Sequence, residues 1–217
     1  MRKFGLMAAT ITLSLAALSP AHGQGAWSVN PYAGVFIADE GGLQDFGDEE
    51  GFTVSIDPAM LVGARLGYMS AANWGFEAGY GYSPLSLSVD EDSSFDVDVT
   101  AQLFYGALNY TFPSSSAAKF FLSVGAGGIN VSGEEADFEE DAETSSTDLL
   151  ANIGGGVMWW LNDRLSLRAD IKDHMDFCKA SETEEDFSAC PLDDKMLNHI
   201  EVSGGVAFQL GGGGGDM

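Results

Sequence analysis

The feature that most restricts the fold is a period-2 alternation that recurs in segments of about ten residues, large apolar side chains on one parity and glycine or polar residues on the other. In Leu61 to Met69, Val62, Ala64, Leu66 and Tyr68 alternate with Gly63, Arg65 and Gly67. In Trp74 to Tyr82, Trp74, Phe76, Ala78, Tyr80 and Tyr82 oppose Gly75, Glu77, Gly79 and Gly81. Leu165, Leu167, Ala169 and Ile171 oppose Ser166, Arg168, Asp170 and Lys172, and the last segment sets Ile200, Val202, Gly204, Val206, Phe208 and Leu210 against His199, Glu201, Ser203, Gly205, Ala207 and Gln209. Side chains of a strand point alternately to its two faces, so each segment reads as a strand with two chemically different faces.

Four further segments, Ala26 to Ala38, Val97 to Phe112, Lys119 to Val131 and Asp148 to Leu161, alternate less cleanly. In the second, Val97, Val99, Ala101 and Leu103 hold one parity while Leu108, Tyr110 and Phe112 hold the other, which predicts one register slip and a β-bulge at Gly106. The count is eight strands. Connections alternate in length: 70–73, 113–118 and 162–163 are short, whereas 40–57, 83–96, 132–147 and 176–198 are long and acidic. This predicts an all-β fold, an eight-stranded antiparallel up-and-down transmembrane β-barrel with short periplasmic turns and four long acidic extracellular loops.

A soluble sandwich or lipocalin-like barrel also alternates, but packs its large residues inside. That choice would leave the core-facing aromatics without a covering helix or second sheet. With the apolar parity outward, Trp74, Tyr82, Tyr110, Phe112, Trp159 and Phe208 fall near strand ends, where aromatic girdles belong. Val202→Arg or Leu167→Arg is then costly, and Ser203→Arg or Gly205→Ser is expected to be better tolerated electrostatically.

Export is predicted from the N-terminus: Met1, Arg2 and Lys3 form a basic start, Phe4 to Leu18 is apolar, and Ala21-His22-Gly23 has the small-x-small form of a cleavage site. Residues 1–23 read as a signal peptide, 24–210 as the barrel domain and 211–217 as a Gly-rich tail. The apolar stretch is shorter than the roughly 20 residues of a spanning helix, and no other window reaches 18. With nine basic residues against 33 acidic ones, a formal charge of −24, the chain would repel nucleic acid, which is excluded as a partner.

The inward charges form the main candidate site: Arg65, Arg168 and Lys172 against Glu77, Asp170 and Glu201, three of each sign, with Arg65–Glu77 and Arg168–Glu201 as the expected pairs. Eight strands leave an interior just wide enough for side chains, so a salt-bridged plug is expected rather than an ion pathway. Cys178 and Cys190, the only cysteines, share one expected long loop of an exported chain, and a disulfide between them is predicted to clasp that loop. A zinc site of these cysteines with His174 and His199 lacks a compact ligand spacing, and the acidic runs match no EF-hand, so no metal or cofactor is assigned. Loose divalent-cation bridging to lipopolysaccharide is the most the runs suggest. His174, with Asp173 and Asp176 beside it, is read as a polar rim residue, because the serine a lipid-modifying hydrolase would need at position 176 is absent.

The phrase Asn109-Tyr110-Thr111-Phe112-Pro113 closing the fourth strand, the run Gly125-Ala126-Gly127-Gly128 in the fifth and the closing Val202-Ser203-Gly204-Gly205-Val206-Ala207-Phe208 resemble the small outer-membrane β-barrel superfamily that includes the OmpA transmembrane domain and the OmpX-type surface barrels. The likeness spans about residues 26–210, and the chain departs from the pattern by running on through Gly211 to Gly215, Asp216 and Met217. It implies insertion by the barrel-assembly machinery among outer-membrane lipids and lipopolysaccharide. The expected function is non-enzymatic, structural or surface-interacting through the extracellular loops, with an unidentified extracellular partner. A small pore, or a lipid A-modifying barrel, is the alternative.

Overall fold

A computed structural model describes residues 25–41, 53–90, 95–133, 144–178 and 195–210. Nine strands cover most of them: β1 (Ala26–Ile37), β2 (Thr53–Ile56), β3 (Ala59–Met69), β4 (Trp74–Asp90), β5 (Phe95–Thr111), β6 (Ala118–Gly133), β7 (Thr144–Asn162), β8 (Leu165–Cys178) and β9 (Lys195–Leu210). Neighbours run β3-β1-β9-β8-β7-β6-β5, all antiparallel, and pairing of β4 with both β3 and β5 closes the ring. The four-residue β2 pairs with the far end of β4 beyond β3, so the wall has eight staves. Closure satisfies every stave on both sides, which is the condition for strands to cross hydrocarbon. No helix among the described residues is long and apolar enough to cross a membrane.

Short turns gather at one end, the periplasmic one, together with the start of β1 and the end of β9, where Trp27 faces Leu210. The β3–β4 turn is closed by Ser70 N–H donating to Trp74 O at 2.8 Å and Asn73 N–H donating to Ser70 O at 3.2 Å. Asn73 has φ 64°, a left-handed conformation that asparagine tolerates better than most residues.

The strands run further toward the opposite end than the alternation indicates. Residues 83–90 and 95–96, read as loop, belong to β4 and β5, leaving 91–94 as their connection; 144–147, 176–178 and 195–198 are likewise strand. These stretches are poor in the large apolar residues that mark the lipid-facing parity. The wall outlasts the apolar band because hydrogen bonding continues where hydrophobic patterning stops.

The predicted bulge at Gly106 is absent: β5 pairs without a shift, Gly106 opposite Ala78 on β4 and Ala126 on β6. Val99, Ala101, Leu103, Tyr105, Ala107, Asn109 and Thr111 all face the lumen, and in its upper half the residues β5 contributes are themselves apolar. The irregularity lies instead between Trp160 and Asn162, where β7 meets β8.

Outside, Val62, Leu66, Phe76, Leu108, Leu122, Val124, Ile153, Leu167, Ile171 and Val202 are exposed although hydrophobic, a surface that lipid must cover. At the periplasmic end Trp74 packs on Tyr110 (4.8 Å between centroids) and Tyr110 on Phe112 (5.3 Å). Six and eight residues up β4 from Trp74, about 20 and 27 Å along it, Tyr80 and Tyr82 mark the other margin, with Tyr80 donating to Gln102 Oε1 at 3.0 Å.

Candidate functional site

Inside the barrel, glycines on one stave make room for large side chains on another. A Cβ on Gly63 would meet the Tyr32 ring at 2.6 Å, one on Gly79 the Tyr105 ring at 2.3 Å, and one on Gly156 the Phe121 ring at 2.8 Å. This pairing of small with large fills a narrow barrel. Toward the loop end one side of the filling is apolar, Phe36, Leu61, Leu85, Val99, Ala101, Leu103, Ile129 and Leu150 forming one buried cluster with Tyr32, and His174, His199 and Asp176 are buried beside it.

Below it lies the charged layer. Arg65, on β3, is buried and uses all three of its nitrogens: Nε donates to Tyr105 OH (3.0 Å), Nη1 to Asn30 Oδ1 (3.1 Å) and Asp170 Oδ2 (3.2 Å), and Nη2 to Glu201 Oε1 and Ser203 Oγ (2.8 Å). Its guanidinium stacks 3.7 Å over the Tyr32 ring. Arg168, on β8, forks onto Asp170, with Nη2 at 2.8 Å from Oδ1 and Nε at 3.0 Å from Oδ2, while Nη1 donates to Glu77 Oε2. Lys172 Nζ donates to Tyr105 OH (2.6 Å) and Glu77 Oε1 (3.1 Å). Tyr105 thereby accepts from two cations beside the carboxylate of Glu77, at 3.4 Å.

The six charges are thus in one layer, but their pairing differs from the cross-strand expectation. Arg65 is 3.8 Å from Glu77, yet its strong contacts are with Asp170 and Glu201. Arg168 pairs with Glu77 and Asp170, not with Glu201, because the register sets it opposite Gly205 and sets Glu201 opposite Lys172. Three cations and three carboxylates, all within hydrogen-bonding range of the opposite sign, avoid the cost of an unpaired buried charge. Their contribution is to geometry rather than net stability, since desolvation offsets much of the attraction.

His174 is a correction. It is fully buried within β8, not at the rim, and its Nε2 lies 3.1 Å from Glu201 Oε2. It faces His199 across β8 and β9; His199 Nδ1 accepts the Asp39 N–H at 3.0 Å, and its Nε2 is 3.5 Å from Asp176 Oδ2. Tyr105, Asn30 and Ser203 are members of the layer that the charge pattern alone did not identify. Among the described residues no group of three or more His, Cys, Asp or Glu is arranged to hold a metal.

At two lumenal positions expected to tolerate substitution electrostatically, packing leaves no room. Ser203 Oγ donates to Glu201 Oε1 at 2.6 Å while accepting from Arg65, so arginine there would add a cation to a filled layer. A Cβ on Gly205 would lie 2.6 Å from Asn30 Nδ2. Cys178 ends β8 opposite Lys195 in backbone register, but its side chain, Cys190 and hence the expected disulfide lie outside the described residues, as do 1–23 and 211–217.

The comparisons agree with this architecture. Residues 6–210 match the family described as outer membrane protein beta-barrel domain. Neisserial surface protein A aligns over 84% of this chain and 96% of its own, at 12% identity and a TM-score of 0.55. The outer membrane protein OprG from Pseudomonas aeruginosa aligns over 86% and 97%, at 14% identity and a TM-score of 0.51. At such identities these likenesses concern the fold. No curated protein matches the chain by sequence. A closed eight-staved wall, a lipid-facing apolar band and a family match across nearly its whole length identify this chain as a member of the outer membrane protein β-barrel domain family, resident in the outer membrane.

Proposed function

We propose that this protein is a non-enzymatic outer-membrane barrel that acts structurally and at the cell surface, through the segments joining its strands at the extracellular end, rather than by passing solutes. The observation that carries the reading is the filled midsection. Arg65, Lys172 and Glu201 are each 1% exposed, and Phe36, Leu61 and Ala101 on the loop side are fully buried, so solvent does not reach this level from either end. A conducting pore needs water along its axis, and here that space holds salt bridges and an apolar layer.

The extracellular face is the remaining surface through which such a barrel meets the outside. Its outward strand margins carry Asp98, Gln102, Asn130, Thr147, Asp173 and Asn198 in place of the lipid-facing apolar set. The partner is unidentified; outer-membrane lipid and lipopolysaccharide are the surroundings. Protease added to intact cells tests the orientation. Cleavage within 42–52, 134–143 or 179–194, leaving the strands membrane-embedded and the protein heat-modifiable on a gel, is the expected result. Cleavage only after the periplasm is opened would overturn the reading.

A further inference from the structure

Beneath the charged layer the lumen is not filled. A cavity of about 420 Å³ opens at the periplasmic end, near Ser70, Ala71 and Asn73 of the β3–β4 turn, and runs inward as far as Glu77 and Arg168. Its volume lies in the range of small-molecule sites. It is blind, because the salt-bridged layer forms its inner end, so it belongs to no pathway through the barrel.

Two observations indicate what fits. The first is charge. The charged residues lining the cavity are Glu77, Lys119 and Arg168, a net positive set in a chain whose formal charge is −24. Glu77 is occupied by Arg168 and Lys172, whereas Lys119 has no ion pair among the described residues. Arg168 is the most solvent-accessible of the three lumenal cations, its side chain 8% exposed against 0% for Arg65 and Lys172. The register places both cations in one row: Lys119 is opposite Met158, and Met158 is opposite Arg168. Two strand spacings, about 10 Å, separate their backbones, which lets one anionic group approach both.

The second is shape and polarity. Met69, Phe121, Met158 and Trp160 also line the cavity and give it apolar walls. Methionine adapts to irregular partners, and Phe121 is already held by Arg168, 4.5 Å over its ring.

We propose that this cavity binds a small amphipathic organic anion from the periplasmic side, its apolar body against Met69, Phe121, Met158 and Trp160 and its anionic group toward Lys119 and Arg168. The site is independent of the surface role above, since it opens on the other side of the membrane.

The test uses the full-length exported protein in zwitterionic phospholipid nanodiscs with methyl-¹³C methionine, titrated with 1-naphthoate and, separately, with uncharged 1-naphthamide. Saturable shifts at the Met69 and Met158 methyls, with Met60 and Met196 on the outer wall unmoved, are expected for naphthoate. Lys119→Gln, at the cavity edge and outside the charged layer, should weaken naphthoate about threefold or more and leave naphthamide unchanged. Equal binding of the two probes, insensitive to Lys119→Gln, would overturn the anion assignment. Non-saturating shifts at all four methyls would show partition into lipid, and no shift at Met69 and Met158 would show an unliganded opening; either result overturns the site.

Discussion

Arg65 and Glu201 form an ion pair across the barrel although their strands, β3 and β9, are not neighbours: β1 runs between them, and Asn30 of β1 accepts a further bond from the same guanidinium. The pair ties three staves at one level, including β1 and β9, where the first and last strands close the ring.

Removing one partner should therefore be costly. Arg65→Met leaves Glu201 and Asp170 short of a cation in a buried layer and is expected to destabilise by about 3 to 5 kcal/mol, measured by urea unfolding in lipid vesicles. In a double-mutant cycle, Arg65→Met with Glu201→Gln should recover part of that loss. Arg168→Met with Glu201→Gln should be closer to additive, because these two residues do not touch.

The lipid face gives a second expectation. Val202 is 48% exposed on the outer wall, and arginine there or at Leu167 should cost about 2 to 4 kcal/mol in the same titrations. An unaffected Val202→Arg would place the apolar parity somewhere other than in hydrocarbon.

Two glycines on β4 and β5 separate packing from propensity. Gly79→Ala drives a methyl into the Tyr105 ring and is expected to cost about 1 to 3 kcal/mol. At Gly106, on the lipid side, a Cβ meets nothing within 4 Å, so Gly106→Ala should fall within about 0.5 kcal/mol of wild type. Equal effects would contradict the lumenal packing.

How much of this was legible in the sequence varies from strand to strand. Arg65, Glu77, Arg168 and Glu201 stand out because their own strands set them against large apolar residues of the other parity. On β5 that contrast fails. Val99, Ala101 and Leu103 fill an apolar part of the lumen and resemble a lipid face, so the pattern calls for a slip at Gly106 that the backbone does not make. Partner choice within the charged layer was also hidden. Alternation assigns a face, but the reach of Arg65 past β1 depends on strand stagger, which sequence period does not encode. His174 illustrates the same limit: its level in the barrel follows from how far β8 extends, and hydrogen bonding sets that length beyond the hydrophobic pattern. The periplasmic cavity left no mark of its own, because it is a space between residues of all eight staves.

The Cys178–Cys190 disulfide remains our proposal for the β8–β9 connection. Replacing both by serine should leave insertion and heat-modifiability unchanged, since the barrel's hydrogen bonds close on themselves, while increasing cleavage between Lys179 and Ala189. Alkylation of both thiols in the native, unreduced protein would refute the bond.

The central claim is that the lumen is filled and the barrel does not conduct, and single-protein recordings in planar bilayers test it most directly. The expected trace is flat, with little or no steady current above the bare bilayer. Arg65→Met and Glu77→Gln should act first on stability rather than open a defined channel. A stable, reproducible conductance from the wild-type protein, one that scales with salt as an aqueous pore does, would contradict the account.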